Sequence, residues 1–169
     1  MITNNVTRLL NAHKVTFTAF ELPAEKLGAQ EAAQRMGVPL HQVFKTIVVV
    51  REKPGKPLLA VVPGDHEVDL KAVAALLKEK KVQLPTQREA EQLTGLQAGG
   101  ISPLALINRG FKVLLDSAAL EFEQIHVSGG QRGLNVRLPV KDLVQLTQAV
   151  TGVISRPLPD GQDGDQNPL

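Results

Sequence analysis

The chain has 169 residues, 43% of them hydrophobic and 21% charged, an ordinary globular composition with room for one domain and one core. No apolar run approaches the roughly 18 residues a membrane span needs, and Met1-Ile2-Thr3-Asn4-Asn5 lacks the basic start and apolar stretch of a signal peptide. The absence of cysteine excludes disulfides, thiolate metal sites and a cysteine nucleophile, so the expected setting is soluble and cytoplasmic, with no membrane partner.

In chain order, Val6, Leu9 and Leu10 predict a helix over about Asn4–His13, and the alternation Val15-Thr16-Phe17-Thr18-Ala19-Phe20 predicts a strand. Residues 29–36 are helix formers stopped by Gly37, with Pro39 just beyond. Two apolar runs, Val43–Arg51 and Leu58–Val62, are joined through Lys53-Pro54-Gly55-Lys56 and read as a hairpin. Asp69 can cap a helix from Leu70 to about Lys80, and Asp65 and Glu67 before it read as a solvated edge. Thr86 and Glu89 have capping-box spacing for a helix ending at Gly95. Strand-like runs follow at Phe111–Leu115, Phe122–Val127 and Leu134–Leu138, and the turn Gly129-Gly130-Gln131-Arg132-Gly133 separates the last two. A helix over about Val140–Val150 closes the domain. Helices and strands mix without βαβ alternation, which predicts an α+β fold with a mixed, partly closed sheet or a small barrel flanked by helices. The domain is expected over residues 1–155. The stretch 156–169, rich in Pro, Gly and Asp, is expected to be a disordered polar tail.

Net charge is +2, but Asp160, Asp163 and Asp165 sit in the tail, so residues 1–156 hold 19 basic against 14 acidic side chains. That tilt suits a polyanionic partner without requiring one. With five Phe and no Tyr or Trp, single-stranded bases would find few rings to stack on.

Three segments could carry chemistry. In Val43-Phe44-Lys45-Thr46-Ile47-Val48-Val49-Val50, Lys45 shares a strand face with Val43, Ile47 and Val49 while Thr46 points the other way. Such a lysine either snorkels to water from the strand's start or stands at a pocket rim holding an anionic or electron-rich group. In Ala98-Gly99-Gly100-Ile101-Ser102-Pro103, paired glycines either make a tight loop or present amides to an anion. In Val127-Ser128-Gly129-Gly130-Gln131-Arg132-Gly133 a hairpin turn explains the composition, although Arg132 could clasp a phosphate. His126 and Ser128 share a strand face, but i and i+2 lie about 6.5–7 Å apart, too far for a nucleophile–base hydrogen bond. His13, His41, His66 and His126 show no metal spacing, and no cofactor is expected.

Gln42-Val43-Phe44-Lys45-Thr46, then Thr94-Gly95 with Gly99-Gly100-Ile101-Ser102-Pro103, then Val127-Ser128-Gly129-Gly130 with Arg132-Gly133-Leu134, resemble in order and spacing the YbaK/prolyl-tRNA synthetase-associated family of aminoacyl-tRNA editing proteins. The resemblance covers residues 1–155 and is to the YbaK branch. It implies release of cysteine wrongly attached to proline tRNA, with the acceptor end of an aminoacyl-tRNA as ligand and prolyl-tRNA synthetase as a candidate partner. In the family the lysine of this motif is the functional hallmark, which falls on Lys45. There it would orient the terminal adenosine or its phosphate, and the α-amino region. The remaining binding residues it implies are Phe20, Thr46, Gly99, Gly100, Ile101, Ser102, Ser128, Gly129, Gly130, Arg132 and Asn135. Phe20 and His126 stand where family members often have tyrosine, Asn135 where they have an acid, and Ala105 where they have glycine. Release would be hydrolytic or substrate-assisted, the cysteine thiol attacking its own ester. A deacylase for alanine or another small residue, and a silent tRNA-end binder serving the synthetase, are the other functions left open.

Overall fold

Asn4 starts the first helix by a reciprocal cap, its side chain accepting from the Thr7 amide while the Thr7 hydroxyl accepts from the Asn4 amide. The structure, a computed structural model, describes residues 2–159. The elements run α1 (Asn5–Ala12), β1 (Thr18–Glu21), α2 (Ala29–Met36), β2 (Phe44–Arg51), β3 (Leu58–Pro63), β4 (His66–Val68), α3 (Leu70–Leu76), β5 (Val82–Gln83) and α4 (Gln87–Thr94). They continue through β6 (Lys112–Asp116), β7 (Gln124–Ser128), β8 (Leu134–Pro139), α5 (Val140–Thr147), β9 (Val150–Gly152) and β10 (Ser155–Pro157). No described helix is long and apolar enough to cross a membrane.

A mixed five-stranded sheet of order β5-β2-β3-β6-β9 forms the centre. The β2–β3 hairpin is antiparallel, while β6 and β9 add parallel strands. Both faces of this sheet are covered, which explains why β2 and β3 read as unbroken apolar runs rather than alternating ones. One face packs Phe44, Val48, Leu59, Val61, Val113 and Leu115 against α1, α5 and the second sheet. The other buries Ile47, Val49, Leu58, Ala60 and Val62 under α3, Val68 and Ile154. The second sheet is antiparallel, of order β1-β8-β7, and turns Ile125, Val127, Val136 and Leu138 into the first core.

The expected mixed, helix-flanked sheet is therefore present, and it is open rather than closed into a barrel. Among the described residues one parallel bridge, Val43 to His126, links the two sheets. β2 spends one edge on β3 and the far end of the other on β5, so only its start meets β7.

Two helices stop earlier than the apolar periodicity predicts. α3 ends at Leu76, where Lys78 takes a left-handed φ of 55° and Glu79 turns in to the Arg51 guanidinium at 2.7 Å, leading the chain into β5. α5 ends at Thr147, capped by left-handed Gln148, because Val150 and Thr151 pair with β6 instead. Arg156 and Pro157, expected to begin the tail, pair with β4 in β10, held by Arg156 to Glu67 at 2.8 Å and by Ser155 to the buried Asp116 at 2.6 Å. The Leu158 amide also bonds to the Asp65 carbonyl at 3.0 Å, and residues 160–169 of the expected tail lie outside the described residues.

Candidate functional site

The start of β2 opens into a cleft walled by the chain entering α2 and by the facing ends of β7 and β8. Of the expected site residues, Lys45, Thr46, Gly99, Ser128 and Asn135 line it together. Lys45 is 2% exposed, so it does not snorkel to water; it forms part of the cleft's inner wall. Thr46 is buried and its hydroxyl has no hydrogen-bond partner, an uncommon state for a buried polar atom. Gly28 caps α2 without a side-chain acceptor and lines the cleft with Ala29.

The second sheet sets Ser128 and Asn135 by register. Phe20, Asn135 and Ser128 are directly paired across β1, β8 and β7, as are Thr18, Arg137 and His126 one pleat away. Directly paired residues share a face, so this face is polar while the opposite one feeds the core. Phe20 does not line the cleft; its ring packs against His126 at 5.3 Å and under the Arg137 guanidinium at 5.5 Å. His126 is fully buried, with Nδ1 3.1 Å from Asn135 Oδ1 and Nε2 without a partner. Because a carboxamide oxygen only accepts, Nδ1–H donates to Asn135 Oδ1, and the neutral ring is the Nδ1 tautomer.

Burial holds the His126 pKa below its ordinary value, with the Asn135 hydrogen bond opposing this and the Arg137 charge adding to it. An unfolded chain protonates this histidine below its ordinary value of about 6.5 while the folded chain does not, so stability falls as pH drops below that point. Urea unfolding at pH 7.5 and pH 5.5 should show a larger loss for the wild type than for His126→Gln. Equal losses would remove this histidine from the acid sensitivity.

The two glycine loops brace each other instead of both facing the cleft. Arg132 Nε donates to the Ala98 carbonyl at 2.5 Å, and the Asn4 side chain donates to the Gly129 carbonyl and to Gln131 Oε1, both at 2.9 Å. Gly130 holds a φ of 93°, and a β-carbon there would meet Val6 Cγ2 at 2.8 Å. Its amide donates to Ser128 Oγ at 3.3 Å, which fixes the Ser128 side chain at the cleft. Ile101 is in the first core and buried Ser102 caps the turn at Pro103–Leu106 through the Leu104 amide. Gly100, Ile101, Ser102, Gly129, Gly130 and Arg132 thus stand behind the lining, where they place Gly99 and Ser128. A β-carbon on Gly100 would sit 2.8 Å from the Gln131 α-carbon, a backbone atom that cannot swing aside. Gly100→Ala should cost about 1–3 kcal/mol, the range for overpacking, read as a lower urea midpoint at unchanged slope. An unchanged midpoint would show that the loops are not braced.

Sequence reasoning missed the wall formed by Leu22, Glu25, Leu27 and Gly28. Pro23 and Gly28 bracket that stretch and mark it as a loop ahead of α2, which is a signal for a connection but not for a lining. Among the described residues no three His, Asp or Glu side chains gather closely enough to hold a metal ion.

The cleft has a buried lysine in its inner wall, beside a serine and an asparagine set by sheet register, and is the candidate site for a small ligand or the end of a larger one. The pattern of the family described as Aminoacyl-tRNA editing domain matches residues 23–146, and the chain belongs to that family, in its YbaK-type form. It is 34% identical over 145 residues to a protein of Enterococcus faecalis provisionally named Cys-tRNA(Pro)/Cys-tRNA(Cys) deacylase EbsC, covering 85% of this chain and 87% of that one. It is 24% identical over 113 residues to the proline–tRNA ligase of Geobacter metallireducens, covering 67% of this chain but only 19% of the ligase. A crystal structure provisionally described as a trans-editing enzyme for prolyl tRNA synthetase superposes with a TM-score of 0.76 at 28% identity, over 92% of this chain and 99% of that one. Another, of a hypothetical protein, gives 0.82 at 25% identity, over 90% and 100%.

Proposed function

We propose that the protein is an aminoacyl-tRNA deacylase acting in trans, which releases cysteine mischarged onto proline tRNA. Likeness to EbsC over most of both chains supports the substrate class, and the observation that carries the reading is the cleft that joins buried Lys45 to the unpartnered hydroxyl of Thr46. An aminoacyl ester is already activated, so positioning and charge stabilisation suffice to break it. Lys45 orients the terminal adenosine or its phosphate through its ammonium. Thr46 gives its unspent hydroxyl to the substrate, and Gly99 and Ser128 line the aminoacyl side chain.

Release is substrate-assisted. The cysteine thiol attacks its own ester carbonyl, the new S–C bond closes a thiolactone, and the ester C–O bond breaks. The tRNA hydroxyl leaves with the proton the thiol gives up. His126 and Ser128 are not joined as a nucleophile–base pair: they stand two residues apart on β7, Nδ1 meets Asn135, Nε2 has no partner, and Ser128 Oγ accepts from the Gly130 amide. Deacylation of cysteinyl-, alanyl- and prolyl-tRNA(Pro), each with purified protein, tests the assignment. Clearance of cysteinyl-tRNA ahead of the other two is expected. Equal inertness toward all three would reduce the protein to a binder.

A further inference from the structure

Six of the eleven lysines gather at one end of the five-stranded sheet, the end away from the cleft. The β2–β3 hairpin supplies Lys53 and Lys56, the loop between α3 and β5 supplies Lys78, Lys80 and Lys81, and the start of β6 supplies Lys112; all are exposed. Strand register brings them to this end: Arg51 pairs with Val82, Val49 with Leu58, and Leu58 with Lys112. The Lys56 ammonium lies 5.4 Å from the Phe111 ring centroid, which pins the hairpin beside β6. The acids here are Glu52, exposed on the hairpin, and Glu79, buried against Arg51. Beyond the other ends of β3 and β6 stand Asp65, Glu67, Glu121 and Glu123 instead. The positive excess of the chain is therefore directed to one pole rather than spread over the surface.

Lys45 to Arg51 is six residues of strand, about 20 Å at roughly 3.3 Å per residue. That is well beyond the Debye length of about 8 Å at physiological salt, so this pole exerts no useful field in the cleft. Its charges can serve a ligand of the cleft only if that ligand is long enough to touch both places. We propose that the lysine pole is a second contact surface, taking the phosphate backbone of the same RNA whose aminoacyl end enters the cleft. The inference rests on the aminoacyl-tRNA reading above and adds to it the place where RNA affinity arises. A duplex backbone suits this surface, because phosphate contacts need charge alone and no stacking rings.

The test compares Lys53→Gln/Lys81→Gln/Lys112→Gln with a control of equal charge loss, Lys14→Gln/Lys71→Gln/Lys141→Gln, whose lysines are exposed elsewhere. Circular dichroism first checks that both variants keep the wild-type fold. Uncharged tRNA(Pro) transcript is titrated by fluorescence anisotropy from low to moderate salt. Each phosphate-binding lysine contributes about one unit of slope in log affinity against log salt, so the pole variant should lose about three units and the control almost none. KM for cysteinyl-tRNA(Pro) should rise at least about tenfold in the pole variant, while release from the short ester cysteinyl-adenosine stays at the wild-type rate. Equal slopes for pole variant and control would overturn the proposal. So would a defect that arises only when prolyl-tRNA synthetase is added, since that would make the pole a protein contact. Inertness of the wild type toward both esters would sink the deacylase reading alone, because the slope comparison still decides the surface.

Discussion

Lys45→Met should lower single-turnover release of cysteine from tRNA(Pro) at least about a hundredfold, the scale of removing one preorganised charge or donor from an active site. The lysine is 2% exposed and lines the cleft, so its ammonium acts where water screens little. Methionine keeps the unbranched length and most of the volume, which separates loss of charge from loss of packing. A cooperative melt with no turnover is the expected pairing. Wild-type turnover in a folded Lys45→Met protein would remove the lysine from the chemistry and with it the site proposed here. Lys45→Arg should restore little, because a planar five-donor fork does not fit a space shaped for a compact ammonium.

Lys45 also shows what the order of amino acids alone reveals. An ammonium among Val43, Phe44, Ile47 and Val48 was visible as an anomaly, and the strand alternation that sets Lys45 and Thr46 on opposite faces follows from the period of two. What the sequence could not show is that both faces of β2 are covered, so both residues are buried and still share a cleft at the strand's start. The capping residues Asn4, Asp69 and Thr86 act locally, and Asp69 and Thr86 were legible for that reason. The ends of α3 and α5 were not, because they depend on Glu79 meeting Arg51 and on Val150 meeting Leu114, contacts far apart in the chain. The glycine loops were legible as turns. Their bracing, Arg132 to Ala98 and Gly100 against Gln131, is a tertiary fact that moved six expected ligand residues behind the lining.

Cysteinyl-tRNA(Pro) should be cleared at least about a hundredfold faster than seryl-tRNA(Pro), although the two side chains are nearly the same size. A pocket separates near-isosteres by only about 1–3 kcal/mol, and a serine fits wherever a cysteine does. The larger gap must come from chemistry: a thiol supplies thiolate near neutral pH, and sulfur attacks an ester far better than a neutral hydroxyl. The protein has no cysteine, and His126 and Ser128, two residues apart on one strand, share no hydrogen bond, so the nucleophile that fits the cleft is the substrate's own. A third sample, with the cysteine thiol capped by a methyl group, decides between the two routes. If the thiol is the nucleophile, the capped ester should persist on the time scale in which the free one is released, and trapping should recover a thiolactone. Rapid release of the capped ester, with free S-methylcysteine as product, would mean that a water held in the cleft attacks the carbonyl. Lys45, Thr46 and Ser128 would then have to orient that water, and the seryl ester would be cleared almost as fast as the cysteinyl one.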